Sequence, residues 1–241
     1  MKIIKDNIRK AIRSLGFDLY RFNPGTSPSL QLVKAFSRFE VDLVLDVGAN
    51  VGQFASALRI FGYKGKLVSF EPLVMEHRIL SETACRDPSW QVHTRCAIGD
   101  FDGKAEINVS GNSVSSSLLP MLNMHSSAAK DSAYVGIEET PIFKLDTVAL
   151  NYLEGANSIF LKIDTQGFEW NVIEGAKQIL PHVQGVLCEM SMIPLYEGQH
   201  LWREMIQRIE SLGFTLWAIL PGFVDSRDGK TLQFDAVFFR L

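Results

Sequence analysis

The feature that most narrows what this chain can become is a nearly continuous apolar run, Val41–Val47. It flows directly into a turn of small residues, Gly48-Ala49-Asn50-Val51-Gly52. A strand that is apolar on both faces belongs inside a parallel sheet covered by helices. The rest of the sequence repeats that plan. Helices are expected at about 51–61 and 73–86, with strands at 66–70 and 91–98. Segments 103–110 and 135–145 read as extended and frame a polar loop, 111–132. Asp146 is placed to cap a short helix reaching Leu153. A buried strand, Ser158–Ile163, precedes a helix, Phe168–Leu180, and a strand, Val183–Met190. A helix at 200–212 leads to two strands, 214–220 and 233–240, in a hairpin-like finish. Repeated βα units imply an α/β, doubly wound, mostly parallel sheet. Ligands of such sheets sit at the carboxyl ends of the strands, where the strand order switches.

The chain has 241 residues, enough for one large α/β domain with a full core. Residues 1–39 read as an N-terminal helical extension and 40–241 as the main domain. A net charge of −3 gives no overall field drawing it to nucleic acid. Three dispersed cysteines, with no CxxC, offer neither a disulfide framework nor a thiolate metal site, and suggest a reducing, cytoplasmic compartment. No apolar run approaches the roughly 20 residues of a membrane span. Charges at Lys2, Lys5, Asp6, Arg9 and Lys10 interrupt the stretch a signal peptide would need. Residues 3–15 form an amphipathic pattern, with Ile4, Ile8, Ile12 and Leu15 on one face and Lys/Arg on the other. Two readings stand: a packing helix with a solvated basic face, or a peripheral anchor (residues 2–15) at the inner membrane surface.

Two strand ends carry the first chemical signal. Asp46 closes a buried strand where it could accept a hydrogen bond from a ligand ammonium. Gly48 and Gly52 permit positive φ or close backbone approach. About 20 residues on, Phe70-Glu71-Pro72 ends the next strand. An acid there can bind both hydroxyls of a ribose, and Pro72 ends the ladder. These signals alone suit NAD as well as S-adenosylmethionine. A dinucleotide turn, however, wants GxGxxG beneath its pyrophosphate, and here Asn50 replaces the second glycine. That spacing favours the adenosyl sulfonium. An NAD-dependent oxidoreductase is the alternative enzyme, and a non-catalytic membrane-docking module the alternative outside catalysis.

The chain resembles the FkbM family of S-adenosylmethionine-dependent methyltransferases over about residues 40–241. The resemblance rests on motifs in order: Leu45-Asp46-Val47-Gly48-Ala49-Asn50-Val51-Gly52, Phe70-Glu71-Pro72, Ala97-Ile98-Gly99-Asp100 with Gly103, and Ser115-Ser116-Ser117-Leu118. Lys144-Leu145-Asp146-Thr147, Leu161-Lys162-Ile163-Asp164-Thr165-Gln166-Gly167-Phe168-Glu169 with Gly175-Ala176, and Asp235-Ala236-Val237-Phe238-Phe239 complete it. Gln166 departs from the glutamate usual in the family. The resemblance implies a class I, Rossmann-like, seven-stranded sheet whose last strand is antiparallel. It also implies O-methylation, often of sugar hydroxyls on glycolipids, polysaccharides or secondary metabolites. By it, Gly48, Asn50 and Gln53 line the methionine end of the cofactor and Glu71 holds the ribose, with Asp46, Gly52 and Pro72 also counted as cofactor-binding candidates. Ala97 and Ile98 lie near the adenine, with Asp100 a weaker candidate, and Asp164 lies nearest the methyl.

A sugar hydroxyl is a poor nucleophile, so a base should take its proton as the new bond forms. The candidates are Asp164, Glu189 and His125. Asp164 and Glu189 end adjacent apolar strands, and His125 sits in the polar loop. Lys162 is expected to neutralise Asp164. Tyr196 and Trp202 offer aromatic walls for a sugar ring, and Ser117 joins them as an acceptor contact. Mg²⁺ on Asp164 and Glu189 is conceivable chemistry, but no ligand cluster compels it, and no metal is expected.

Overall fold

The computed structural model describes the backbone of residues 2–241 and side chains from Asn7 onward. Two helices, α1 (Lys2–Ser14) and α2 (Pro28–Arg38), precede the first strand. The chain then runs β1 (Leu43–Val47), α3 (Gln53–Ile60), β2 (Lys66–Phe70), α4 (Val74–Ala84), β3 (Trp90–Val92), β4 (Ala97–Gly99), β5 (Gly103–Ser110), α5 (Asn123–Ala128) and β6 (Tyr134–Lys144). It continues α6 (Leu145–Val148), β7 (Ile159–Ile163), α7 (Glu169–Glu174), β8 (Val183–Ser191), α8 (Trp202–Ser211), β9 (Thr215–Pro221) and β10 (Gln233–Phe239).

Seven strands form the main sheet in the order β3-β2-β1-β7-β8-β10-β9. All neighbours are parallel except β10, which runs antiparallel to β8 and β9. This is the expected doubly wound sheet with its last strand reversed. The chain builds outward from β1 to β3, then returns to β7 on the other side of β1. The switch in strand order therefore opens between the ends of β1 and β7, where such sheets bind ligands.

Strand alternation sends side chains to the two faces in turn. Leu43, Leu45, Leu161, Ile163, Val186 and Cys188 join Val172, Ile173, Met205 and Ile209 in one buried cluster. Val44, Leu67, Phe160, Leu187 and Phe239 form the other, under Phe36 of α2, Leu58 of α3 and Leu80 of α4. Asp46, Lys162 and Asp164 share parity with this second face. The sheet thus carries a charged row at the rim of its α2–α3 side.

Three local expectations are corrected. Segment 91–98 is two strands: β3 ends at Val92, and β4 joins a second sheet, β4-β6-β5. The chain must leave the main sheet there because β4 pairs in parallel with β6 instead. The helix expected over 168–180 is only Glu169–Glu174. A Cβ on Gly175 would stand 1.8 Å from the carbonyl oxygen of Gly99, so backbone packs on backbone where the helix stops. Asp146 does not cap its own helix. It lies inside α6, and its carboxylate accepts from the amides of Gln178 and Ile179 at 3.0 Å, tying down the chain after α7.

Candidate active site

A cavity of about 370 Å³ opens at the carboxyl ends of β1, β2 and β7, within the range of roughly 300–1,000 Å³ typical of small-molecule sites. Its floor is the β1 turn. Gly48 has φ +75, and a Cβ there would lie 1.8 Å from the carbonyl oxygen of Asp164. Glycine is required because the ends of β1 and β7 touch backbone to backbone. Asn50 also takes a left-handed φ of 49. Its amide nitrogen donates to Ser113 Oγ at 3.1 Å, and its oxygen accepts from Gln53 at 2.9 Å. Through Ser113, Val114, Ser116 and Leu118, the polar loop lies across the cavity.

One end of the cavity is an apolar slot of Phe70, Leu73, Ala97, Ile98 and Ile107 beside Glu71. Glu71 is held by backbone: Oε2 accepts from Asn50 N at 2.7 Å and Oε1 from Leu73 N at 2.9 Å. Burial pushes its pKa up to about 7 against those two bonds. A fixed carboxylate beside an apolar slot suits a nucleoside, with the base in the slot and the ribose hydroxyls on the acid.

The other end is built on charge. Lys162 is buried and donates to Gly48 O at 2.7 Å. Its Nζ stands 3.1 Å from Asp46 Oδ1 and 3.4 Å from Asp164 Oδ2. The Asp46 contact is an ion pair without an aligned hydrogen bond. Burial alone would lower the lysine pKa, but the two acids outweigh it and hold it above its usual value. Burial raises that of Asp46, with Lys162 opposing. Gln166, at φ 54, ties the next strand end together. Its Nε2 donates to Asp164 Oδ1 at 2.8 Å and Glu189 Oε2 at 2.6 Å, while Oε1 accepts from the Tyr196 hydroxyl at 2.9 Å. Gln233 adds a second bond to Glu189 Oε2 at 2.6 Å. Burial, then the neighbouring acids Asp164, Glu169 and Asp235, raises the Glu189 pKa well above the carboxylate range.

Of the residues singled out from sequence, Gly48, Asn50, Gln53, Glu71, Pro72, Ala97, Ile98 and Asp164 line this cavity. Others are placed elsewhere. Asp46 is fully buried behind Lys162, so its carboxylate is engaged by the protein rather than offered to a ligand. Gly52 faces Trp90 and Leu80, and a Cβ would meet Trp90 at 2.8 Å; its freedom serves packing. Glu189 stands behind Gln166, outside the cavity lining. His125 is 2% exposed, edge-on to Tyr196, and burial alone lowers its pKa to about 4. It neither reaches the cavity nor titrates where a base must. Tyr196 is fully buried, its hydroxyl donating to Ser115 O and Gln166. Ser117 donates to Gln166 O at 2.7 Å. Trp202 packs on Phe234 at the start of α8. These three brace the loop and strand ends instead of lining an acceptor site. Asp100 is exposed outside the cavity. No group of three or more His, Cys, Asp or Glu side chains among the described residues is arranged to hold a metal.

Sequence reasoning missed Pro28, Ser29 and Leu32 of α2, together with Leu187, Leu220 and Asp235, which wall the cavity beyond Lys162. Only Asp235 left a signal, as the one charge in an otherwise apolar strand.

The sequence profile described as "Methyltransferase FkbM domain" matches residues 46–216. The chain belongs to the FkbM methyltransferase family. Its methyl donor is S-adenosylmethionine, and the oxidoreductase alternative falls away. No curated protein matches this FkbM methyltransferase. Among solved structures it is similar to magnesium protoporphyrin IX methyltransferase from Synechocystis PCC 6803, at 11% identity and TM-score 0.48, covering 98% of this chain and 97% of that one. It is also similar to a SAM-dependent methyltransferase from Aquifex aeolicus, at 13% identity and TM-score 0.42, covering 92% and 100%. The cavity fits the donor. The apolar slot and Glu71 suit its nucleoside, and Asp164 suits its positive sulfur.

Proposed function

We propose that this FkbM methyltransferase is an O-methyltransferase acting on a sugar hydroxyl of a glycolipid, polysaccharide or glycosylated metabolite. The observation that carries this reading is the polarity of the cavity: an apolar lining beside Glu71 and carboxylates of Asp164 and Asp235 across the sheet. When bound, S-adenosylmethionine supplies an activated methyl group on a positive sulfur. The chain's own residues do the rest. Glu71 and the Phe70–Ala97–Ile98 slot fix the nucleoside; Gly48, Asn50 and Gln53 hold the methionine portion. Asp164, itself held by Lys162 and Gln166, provides negative charge beside the cationic centre. Fixing the reacting atoms at roughly 3–3.5 Å in line can account for about 7–11 kcal/mol of barrier. Carboxylates at the reacting end suit an acceptor that must lose a proton, as a hydroxyl does.

The N-terminal arm extends the reading to an enzyme at the inner membrane face. Ile8, Leu15, Phe17, Leu19, Tyr20 and Phe22 are all about half exposed or more. Lys10 and Arg21 lie among them, with Arg9 and Arg13 paired to Asp18 at 2.7 and 2.8 Å; the exposed apolar side chains with net positive charge around them suit an anionic lipid surface. The side chains of Lys2 to Asp6, part of the anchor read from sequence, lie outside the described residues. No helix among the described residues is long and apolar enough to cross a membrane.

The test is a labelled-methyl assay with the full chain against cell extracts split into lipid, glycan, small-metabolite, RNA and protein fractions. Label in lipid or glycan, stable to mild base as an ether is, supports the proposal. Label confined to RNA or protein refutes it. Sedimentation with anionic vesicles, compared for the full chain and one lacking residues 1–22, tests the arm. Equal binding by both removes it from the reading.

A further inference from the structure

The carboxylates at the reacting end of the cavity are not equivalent. Asp164 has both oxygens engaged, Oδ1 by the Gln166 amide at 2.8 Å and Oδ2 by Lys162 at 3.4 Å. Glu189 accepts two amide donors on one oxygen at 2.6 Å each and does not line the cavity. Glu169 is buried, with Oε1 accepting from the backbone of Thr165 and Gly167. Glu71 is at the far end, tied to Asn50 and Leu73. Asp235 alone lines the cavity without a hydrogen bond or ion pair to any described residue.

Its position follows from topology. β10 runs antiparallel to the rest of the sheet, so its amino-terminal half lies beside the carboxyl ends of the other strands. The register sets Asp235 opposite Glu189 on β8 and Leu220 on β9. It therefore continues the charged row of Asp46, Lys162 and Asp164 across the rim. Beyond Asp164 the cavity wall turns apolar, with Leu187, Leu220 and Leu32, and the first turn of α2 closes it with Pro28 and Ser29. This end is distant in composition from the nucleoside slot and holds one free carboxylate.

We infer that Asp235 is the catalytic base, taking the acceptor's proton in a chamber walled by Leu32, Leu187 and Leu220. The inference rests on the O-methylation reading. In the step it assigns, an oxygen–carbon bond forms to the methyl group. The carbon–sulfur bond breaks with its electron pair kept on sulfur, and the hydroxyl proton passes to an Asp235 carboxylate oxygen. Asp164 stays paired with Lys162 and Gln166 as a fixed negative charge. The chamber's two characters, apolar wall and single acid, select an amphiphilic acceptor with a hydroxyl near its apolar part. Burial, then the charge of Asp164, raises the Asp235 pKa to about 7 against the attraction of Lys162, and an acid poised near the working pH makes an efficient base. The charged groups facing it are Lys162 and Asp164 from β7 and Glu189 from β8; β9 presents Leu220 and α2 presents Ser29 and Leu32.

The first test needs no acceptor. S-adenosylmethionine and S-adenosylhomocysteine differ by a methyl group and its positive charge, and that charge near Asp235 should expel its proton. Calorimetric titration of each into the full chain at pH 7, in two buffers of different ionisation enthalpy, counts the protons released. The methylated form should release up to about half a proton more. Asp235→Asn should abolish the difference while changing the S-adenosylhomocysteine Kd by less than about threefold, and Asp235→Glu should restore part of it. A difference that survives Asp235→Asn overturns the assignment. The second test is label transfer to the lipid and glycan fractions. Asp235→Asn should lower kcat by about 10²-fold or more, and retention within about threefold overturns the proposal. Should the wild-type chain label neither fraction, the acceptor reading fails, and the proton count still decides whether Asp235 faces the methyl group.

Discussion

Replacing Lys162 by methionine isolates the electrostatic framework of the site. The ammonium is 6% exposed and lies 3.1 Å from Asp46, which is fully buried. It also carries the 2.7 Å bond to Gly48 O that holds the β1 turn against β7. Methionine fills most of the volume but leaves Asp46 as a buried charge without a counter-ion. Breaking such a pair from one side costs about 3–5 kcal/mol, out of a total stability on the order of 5–15 kcal/mol. The penalty depends on pH with a definite sign. Burial raises the Asp46 pKa and Lys162 opposes that rise, so losing Lys162 raises it further. A carboxyl with a raised pKa binds more protons folded than unfolded, and stability then falls as pH rises through that interval. Urea denaturation of Lys162→Met should thus show its largest deficit at pH 8 and a clearly smaller one at pH 5. The double variant Asp46→Asn/Lys162→Met should recover about half of the pH 8 loss or more, because no charge is left stranded. An equal deficit at both pH values, with no recovery in the double variant, would refute the ion-pair account and leave only lost packing.

Three further outcomes follow from the same geometry. Glu71→Ala should weaken S-adenosylmethionine binding by about 10–100-fold, the worth of charge-assisted hydrogen bonds; calorimetry giving an unchanged Kd would remove the ribose assignment. With its pKa pushed up to about 7, Glu71 gains a proton as pH falls below that value, so wild-type affinity should drop through the same range and the alanine variant should lose this dependence. Gly48→Ala should abolish folding or cost more than about 3 kcal/mol, since its Cβ would overlap Asp164 O at 1.8 Å and its φ is +75; a stable variant with intact cofactor binding would contradict the contact. His125→Phe should retain methyl transfer within about twofold and leave the pH profile unchanged, because a side chain already neutral and packed on Tyr196 and Phe223 takes no part in proton transfer; a large loss would return it to the list of bases.

Much of the main sheet was legible because its strands are short apolar runs bounded by Gly, Pro and acids. β2 falls where the pattern put it, as does β5 of the second sheet, and the glycine turn and Glu71 were read at the cavity they line. What the sequence hid is pairing across long separations. Asp46 ends a strand as a ligand-binding acid would, yet the register puts it beside Lys162, which consumes its charge. Tyr196 and Ser117 look like acceptor contacts until Gln166, distant from both in sequence, accepts hydrogen bonds from their hydroxyls. β4 was fused to β3 because the polar break between them, His93-Thr94-Arg95, carries no Gly or Pro to mark a change of sheet.

Asp235 was overlooked for a reason that applies to any sheet with one reversed strand. Reading the carboxyl ends of strands finds the functional rim only for the parallel members. For β10 the rim lies at the amino-terminal end, so the residue to examine is the first charge after the turn. Asp235 sits directly across from Glu189, the acid that the carboxyl-end rule selected one strand away. The rule found the correct edge of the sheet and, through the reversal, stopped one strand short of its unpaired acid.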